Sequence, residues 1–187
     1  MTYNNSWLIE KYRRDEEYTY VFFWGHKPSA DGSITKSCLS QWWLSAFEME
    51  GTRYATAEHW MMHKKALQAG DGETAALILN TLDPKEAKQL GRQVKNFNPS
   101  EWDTIKFDTV CQGNLHKFSQ HPELKAFLLG TGDSILVEAS PVDPVWGIGM
   151  AKDNKHITNP EQWRGDNLLG YALMQVRDKL RLQSLGA

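Results

Sequence analysis

Helix start and stop signals crowd the middle of this chain, and they constrain its fold more than any other feature. Thr56 is a good N-cap for a helix running to about Ala69, with Gly70 as its stop. A short helix follows over Glu73–Asn80. Asp83, Pro84 and Glu86 then read as a capping-box start with proline in the first turn, and Gly91 closes that helix. Ser100 opens a longer helix, whose Trp102, Ile105, Val110, Leu115 and Phe118 form a broad apolar stripe. Pro122 opens another, closed by Gly130. The last begins near Asn167, where Leu169, Ala172, Leu173, Val176 and Leu180 are spaced for a buried face. Strand signals are brief: Tyr18–Trp24, Ser134–Glu138, and a hairpin over Ala46–Tyr54 that turns at Gly51. The pattern predicts an α+β fold, a mostly helical single domain with a small antiparallel sheet. Residues 1–17, polar and charged, read as an N-terminal arm; the domain is expected over 18–187.

Composition narrows the function classes. A chain of 187 residues buries a core without disulfide staples. Its formal net charge of −2 gives no general attraction to nucleic acid or membrane, although Lys27, Lys36, Arg53, Lys64 and Lys65 could form a local basic patch. Cys38 and Cys111 make no disulfide framework and have no His/Asp partner pattern, which suits a reducing cytoplasm and argues against cysteine catalysis. No secretory leader is visible, and no apolar run approaches the ~20 residues of a membrane span. Eight tryptophans are unusual. Most suit a core, but those beside glycine or charge also suit a pocket that stacks planar ligands.

The helix after Thr56 carries the first candidate site. Glu58 lies in its first turn, where the helix dipole and unpaired N–H groups favour a carboxylate. Helix stability alone would explain an acid there. Lys65, two turns on, shares its face at ~10.5 Å along the axis, with Met61 and Met62 between. Acid and base framing an apolar stretch could line a cleft for a small polar ligand. His59 and His63 have the i, i+4 spacing of paired metal ligands. The HWMMH run lacks the glutamate of the zinc-protease pattern and a third ligand, so no metal and no cofactor is expected.

Loops carry the other candidates. Trp146-Gly147-Ile148-Gly149 sets an aromatic face beside flexible backbone, able to stack a base or admit a phosphate, or to form a turn with a core tryptophan. Trp24-Gly25-His26 is similar. Asp143-Pro144 is a common turn pair, and Asp143 is equally a candidate acid. Arg92, after Gly91, suits a phosphate or the helix carbonyls.

Taken in order, YATAEHWMMHKKA (Tyr54–Ala66), LGR (Leu90–Arg92), KFSQHPELKAFLLGTG (Lys117–Gly132), WGIG (Trp146–Gly149) and GDNLLGYALMQVR (Gly165–Arg177) resemble the NADAR, or YbiA-like, family. The likeness runs from about Tyr20 to Leu180. It implies a compact, mostly helical α+β fold and hydrolysis of N-glycosidic bonds. Two substrate classes go with it: phosphoribosylamino-pyrimidine intermediates of riboflavin synthesis, and ADP-ribose attached to guanine in nucleic acid. By the resemblance, Glu58, Lys65 and Asp143 are catalytic, and Trp146 and Asn167 bind substrate. Near the N-terminus the chain departs from the family's S-N-F, carrying FFWGH, a longer loop, and then Ser40-Gln41-Trp42. Gln41 keeps the side-chain amide. Trp24, His26, Ser40, Gln41, Arg92 and Gly147 complete the expected substrate contacts.

The chemistry suits these residues. Cleaving a ribose–nitrogen bond builds positive charge on the sugar, which a fixed carboxylate stabilises while orienting water. Lys65 could bind a phosphate or hydroxyl, or exchange onto an opened ribosyl imine as a Schiff base. The expected partner is a small ribosyl or ADP-ribosyl substrate, free or attached to nucleic acid. The competing expectation is a non-catalytic module that reads ADP-ribose or a related nucleotide. Two carboxylates would hinder such a binder of anions.

Overall fold

A computed structural model of the chain describes residues 3–185. Along the chain run α1 (Asn5–Arg13), β1 (Tyr20–Phe23), β2 (Phe47–Met49), β3 (Thr52–Tyr54), α2 (Ala57–Gln68), α3 (Gly72–Asn80), α4 (Pro84–Arg92), α5 (Pro99–Gln120), α6 (Pro122–Gly130), β4 (Ile135–Glu138) and α7 (Leu168–Leu185). Short 3₁₀ turns cover Lys36–Leu39 and Pro160–Gln162. The expected helix-dominated α+β class is observed. The residues fall into two compact units, one reaching to Ser40 and resuming at Glu123, the other spanning Gln41–Pro122.

The second unit is the helical one. Asp71 and Asn98 supply caps that the sequence reading passed over: Asp71 accepts from Thr74 N at 3.1 Å, and Asn98 accepts from Ser100 N at 3.1 Å. Asp71 also takes Lys95 N at 2.8 Å, so one buried carboxylate starts α3 and ties down the chain beyond α4. The predicted capping box at Asp83 is half made. Asp83 accepts from Lys85 N at 2.9 Å, but Glu86 turns to the Thr81 hydroxyl instead. Gly91 is not a stop. It lies within α4, where a Cβ would sit 2.0 Å from Met62 Sδ; glycine lets α4 pack directly on α2. The hairpin forms as expected, with Phe47 opposite Tyr54. Phe47, Tyr54, Ala57 and Trp60 make a buried cluster, and Trp60 Nε1 donates to Thr109 O at 2.7 Å.

The first unit holds a parallel pair, β1 with β4, in register from Tyr20–Ile135 to Phe23–Glu138. The described strands therefore form two two-stranded sheets, only one of them antiparallel. Strand pairing over so many intervening residues leaves no local signature. Helix α7 packs on β4 with Leu169, Ala172, Leu173, Val176 and Leu180 buried, the face its spacing predicted. Residues expected as an arm instead contain α1, capped by Asn4 on Trp7 N at 2.8 Å. Its Asn5 accepts from Tyr171 Oη at 2.9 Å and donates to Gly165 O at 3.1 Å.

Candidate active site

The expected site residues divide between the two units. Gln41, Glu58, Lys65 and Arg92 belong to the second; Trp24, His26, Ser40, Asp143, Trp146, Gly147 and Asn167 belong to the first.

In the second unit, Thr56 caps α2 as predicted. Its hydroxyl pairs with His59 Nδ1 at 2.8 Å. Glu58 in that first turn is only 2% exposed, and its backbone N–H donates to Gln41 O at 3.0 Å. Lys65 is half-buried. Its Nζ donates to Gly91 O at 2.7 Å and sits 4.0 Å from the Phe97 ring centroid. Burial, then the Arg92 charge, lowers the Lys65 pKa, opposed by the Glu58 carboxylate. Arg92, at the end of α4, is exposed. The histidines are neither solvent-facing nor convergent on a ligand: His63 Nδ1 pairs with Tyr54 Oη at 3.1 Å, and burial lowers both imidazole pKa values. One residue here went unnoticed in the sequence. Asn114 is fully buried, and its Nδ2 donates both to Val110 O at 2.9 Å and to Gln41 Oε1 at 2.7 Å. An asparagine inside a long helix has no periodic signal to mark it.

In the first unit, the strands end side by side, with Ala139 N donating to Phe23 O at 2.9 Å. The loops beyond them carry the candidates. Trp24 follows β1 and is 60% exposed; His26 and Ser40 are half-buried. Asp143 caps a turn: its Oδ1 accepts from Val145 N at 3.0 Å and Trp146 N at 2.9 Å. Those bonds shape the loop that presents Trp146. Gly147 is buried, and a Cβ there would meet Glu138 O at 2.8 Å and Ser140 Cβ at 2.9 Å. Close packing on the end of β4 explains that glycine better than phosphate approach does. Asn167 is fully buried with φ 52°. Its Oδ1 accepts from Glu138 N at 3.0 Å and its Nδ2 donates to Leu136 O at 2.9 Å. The amide acts as a pseudo-strand on β4 and joins it to the start of α7, so both of its ends are occupied by backbone. A surface cavity of about 920 Å³ lies elsewhere in this unit, lined by Trp7, Tyr18, Arg177 and Arg181 among others, and by none of the expected site residues.

A family model described as the NADAR domain matches residues 22–181 and runs through both units. The chain belongs to the NADAR family. It is 41% identical over 165 residues to N-glycosidase R617 of Acanthamoeba polyphaga mimivirus, covering 86% of this chain and 95% of that protein. It is 30% identical over 136 residues to N-glycosidase YbiA of Escherichia coli, covering 73% and 76%. The NMR structure of E. coli YbiA matches with a TM-score of 0.72 at 27% identity, covering 90% of this chain and 89% of that one. No helix among the described residues is long and apolar enough to cross a membrane.

Proposed function

We propose that this NADAR-family chain hydrolyses the bond between a ribose and an exocyclic or ring nitrogen of a nucleobase-like group, with Glu58 at the reacting carbon. N-glycosidase is the activity named for its mimivirus, Nostoc punctiforme and E. coli relatives, and the chain is a hydrolase of N-glycosidic bonds. The observation that supports the residue assignment is Glu58 buried in the first turn of α2, the helix whose Lys65 is held on the Gly91 carbonyl of α4. A carboxylate buried in the first turn of α2 lies two turns from a partly desolvated amine on the same helix face.

As the C1′–N bond breaks, its electron pair leaves with the nitrogen and positive charge builds on the ribose. Glu58 stabilises that charge and orients the water that adds to C1′. The exposed guanidinium of Arg92 suits a phosphate of the substrate. Lys65, with its lowered pKa, keeps a larger neutral fraction than an ordinary lysine. On an alternative route, open only to a ribose on an exocyclic amine, the neutral Lys65 amine adds to C1′ of the ring-opened imine, the substrate amine leaves with the proton that Lys65 gives up, and water hydrolyses the resulting Schiff base to free the lysine. Within the first unit, Asp143 is assigned to shaping the Trp146 loop, and Trp24 and Trp146 to stacking on planar groups. The substrate is taken to be either ADP-ribosylated guanine or a phosphoribosylamino-pyrimidine, met in a reducing compartment that suits the buried thiols of Cys38 and Cys111.

Mass spectrometry after incubation with each substrate tests the proposal. Release of free base or amine together with ribose phosphate or ADP-ribose supports it. Turnover of neither, with ADP-ribose still bound, would favour a non-catalytic reader.

A further inference from the structure

The amide of Gln41 is locked in one orientation by a chain of hydrogen bonds that begins at the α5 backbone. A main-chain carbonyl can only accept. Val110 O therefore requires the NH₂ end of Asn114, 2.9 Å away. The same NH₂ group reaches Gln41 at 2.7 Å, so Gln41 must present its carbonyl oxygen to Asn114. Its own NH₂ then points the other way. That nitrogen is buried in a side chain only 7% exposed, and no group among the described residues accepts from it. Buried amide donors are costly to leave unsatisfied, so a donor maintained in this state marks a place where something else supplies the acceptor.

The location fits a ligand. Gln41 is joined to Glu58 through its own carbonyl, which accepts the Glu58 N–H at 3.0 Å. The unused donor and the proposed catalytic carboxylate are thus carried on directly bonded residues. We propose that Asn114 is a positioning residue that fixes the Gln41 amide, so that Gln41 Nε2 donates to an oxygen acceptor of the ribosyl substrate. The inference rests on the reading of Glu58 as the reacting carboxylate. Asn114 itself touches no substrate; it acts through Gln41. Because the amide is held with its donor away from Asn114, the site favours a substrate oxygen and rejects a donor at that point.

Asn114→Asp tests this at constant shape. An aspartate cannot donate to Val110 O or to Gln41, and it draws the Gln41 NH₂ towards itself, presenting an oxygen to the substrate. The expected loss in kcat/KM is about ten- to a hundredfold. Gln41→Met should lose a similar factor, and Asn114→Asp added to Gln41→Met should cost little more, because the two act as one unit. A merely structural Asn114 would give the same additional loss in both backgrounds, and that result would overturn the proposal. So would unchanged kinetics in Asn114→Asp. A neutron crystal structure of the deuterated wild type gives a readout independent of activity. Deuterons on the Gln41 atom facing Asn114 would refute the orientation. Deuterons on the opposite atom, in a protein that cleaves no N-riboside, would leave the positioning intact and sink the N-glycosidase reading instead.

Discussion

Lys65 reaches from α2 to the last turn of α4 and donates to the Gly91 carbonyl at 2.7 Å. The contact depends on glycine, since a Cβ at position 91 would strike Met62, which stands between Glu58 and Lys65 in α2. Close packing of the two helices thus holds the Lys65 amine proposed to react.

Lys65 should deprotonate at lower pH than ordinary lysines. Burial and the Arg92 charge lower its pKa, whereas the Glu73 carboxylate raises that of Lys95. Carbon-13 NMR of the reductively methylated protein should show Lys65 titrating before Lys95. The linkage has a definite sign: a lysine with a depressed folded pKa costs the fold stability at neutral pH. That cost fades as pH rises through the folded pKa towards 10.5. Borohydride added during turnover should trap a Lys65 adduct if the covalent route operates, and absence of the adduct would exclude it.

Glu58→Gln keeps the shape and removes the charge. Turnover should fall about 10²–10³-fold, while ADP-ribose affinity changes little. Calorimetry beside single-turnover kinetics separates the two. Equal losses in binding and turnover would place Glu58 in substrate binding only.

Asn167→Ala should destabilise the fold by about 2–4 kcal/mol, through two lost buried hydrogen bonds and a left-handed backbone without its asparagine. Asn167→Gly relieves the backbone but not the bonds, and should recover part of the loss. Urea unfolding of the three proteins measures both contributions. If Asn167 chiefly contacted substrate, stability would stay near wild type while KM rose.

Stability should fall as pH drops below about 6.5. Burial lowers the His59 and His63 pKa values in the fold, with Lys64 adding to the effect at His63. The unfolded chain takes up protons that the folded chain refuses, so each imidazole contributes at most about 1.4 kcal/mol per pH unit between its unfolded and folded pKa. Urea midpoints at pH 7.5 and 5.5 should differ, and His59→Gln should flatten the slope. An unchanged slope would show that His59 carries its proton in the folded state.

The sequence by itself determined helices α2–α7 and their order. Caps, prolines and apolar spacing act within a few residues, so Thr56, Pro84, Pro122 and the α7 stripe could be read directly. It also marked Glu58 and Lys65 as sharing a face, because helix geometry requires it. Only the tertiary structure decided what depends on residues distant in the chain. It paired β1 with β4 in parallel, drew α1 out of the expected arm, and placed Gly91 inside a helix because Met62 needed the space. It turned Asn167 into a backbone partner of β4 and connected Asn114 to Gln41. A side-chain amide can donate, accept, cap or mimic a strand. Which of these it does is set by the buried groups that surround it, and no spacing rule brings those groups to it.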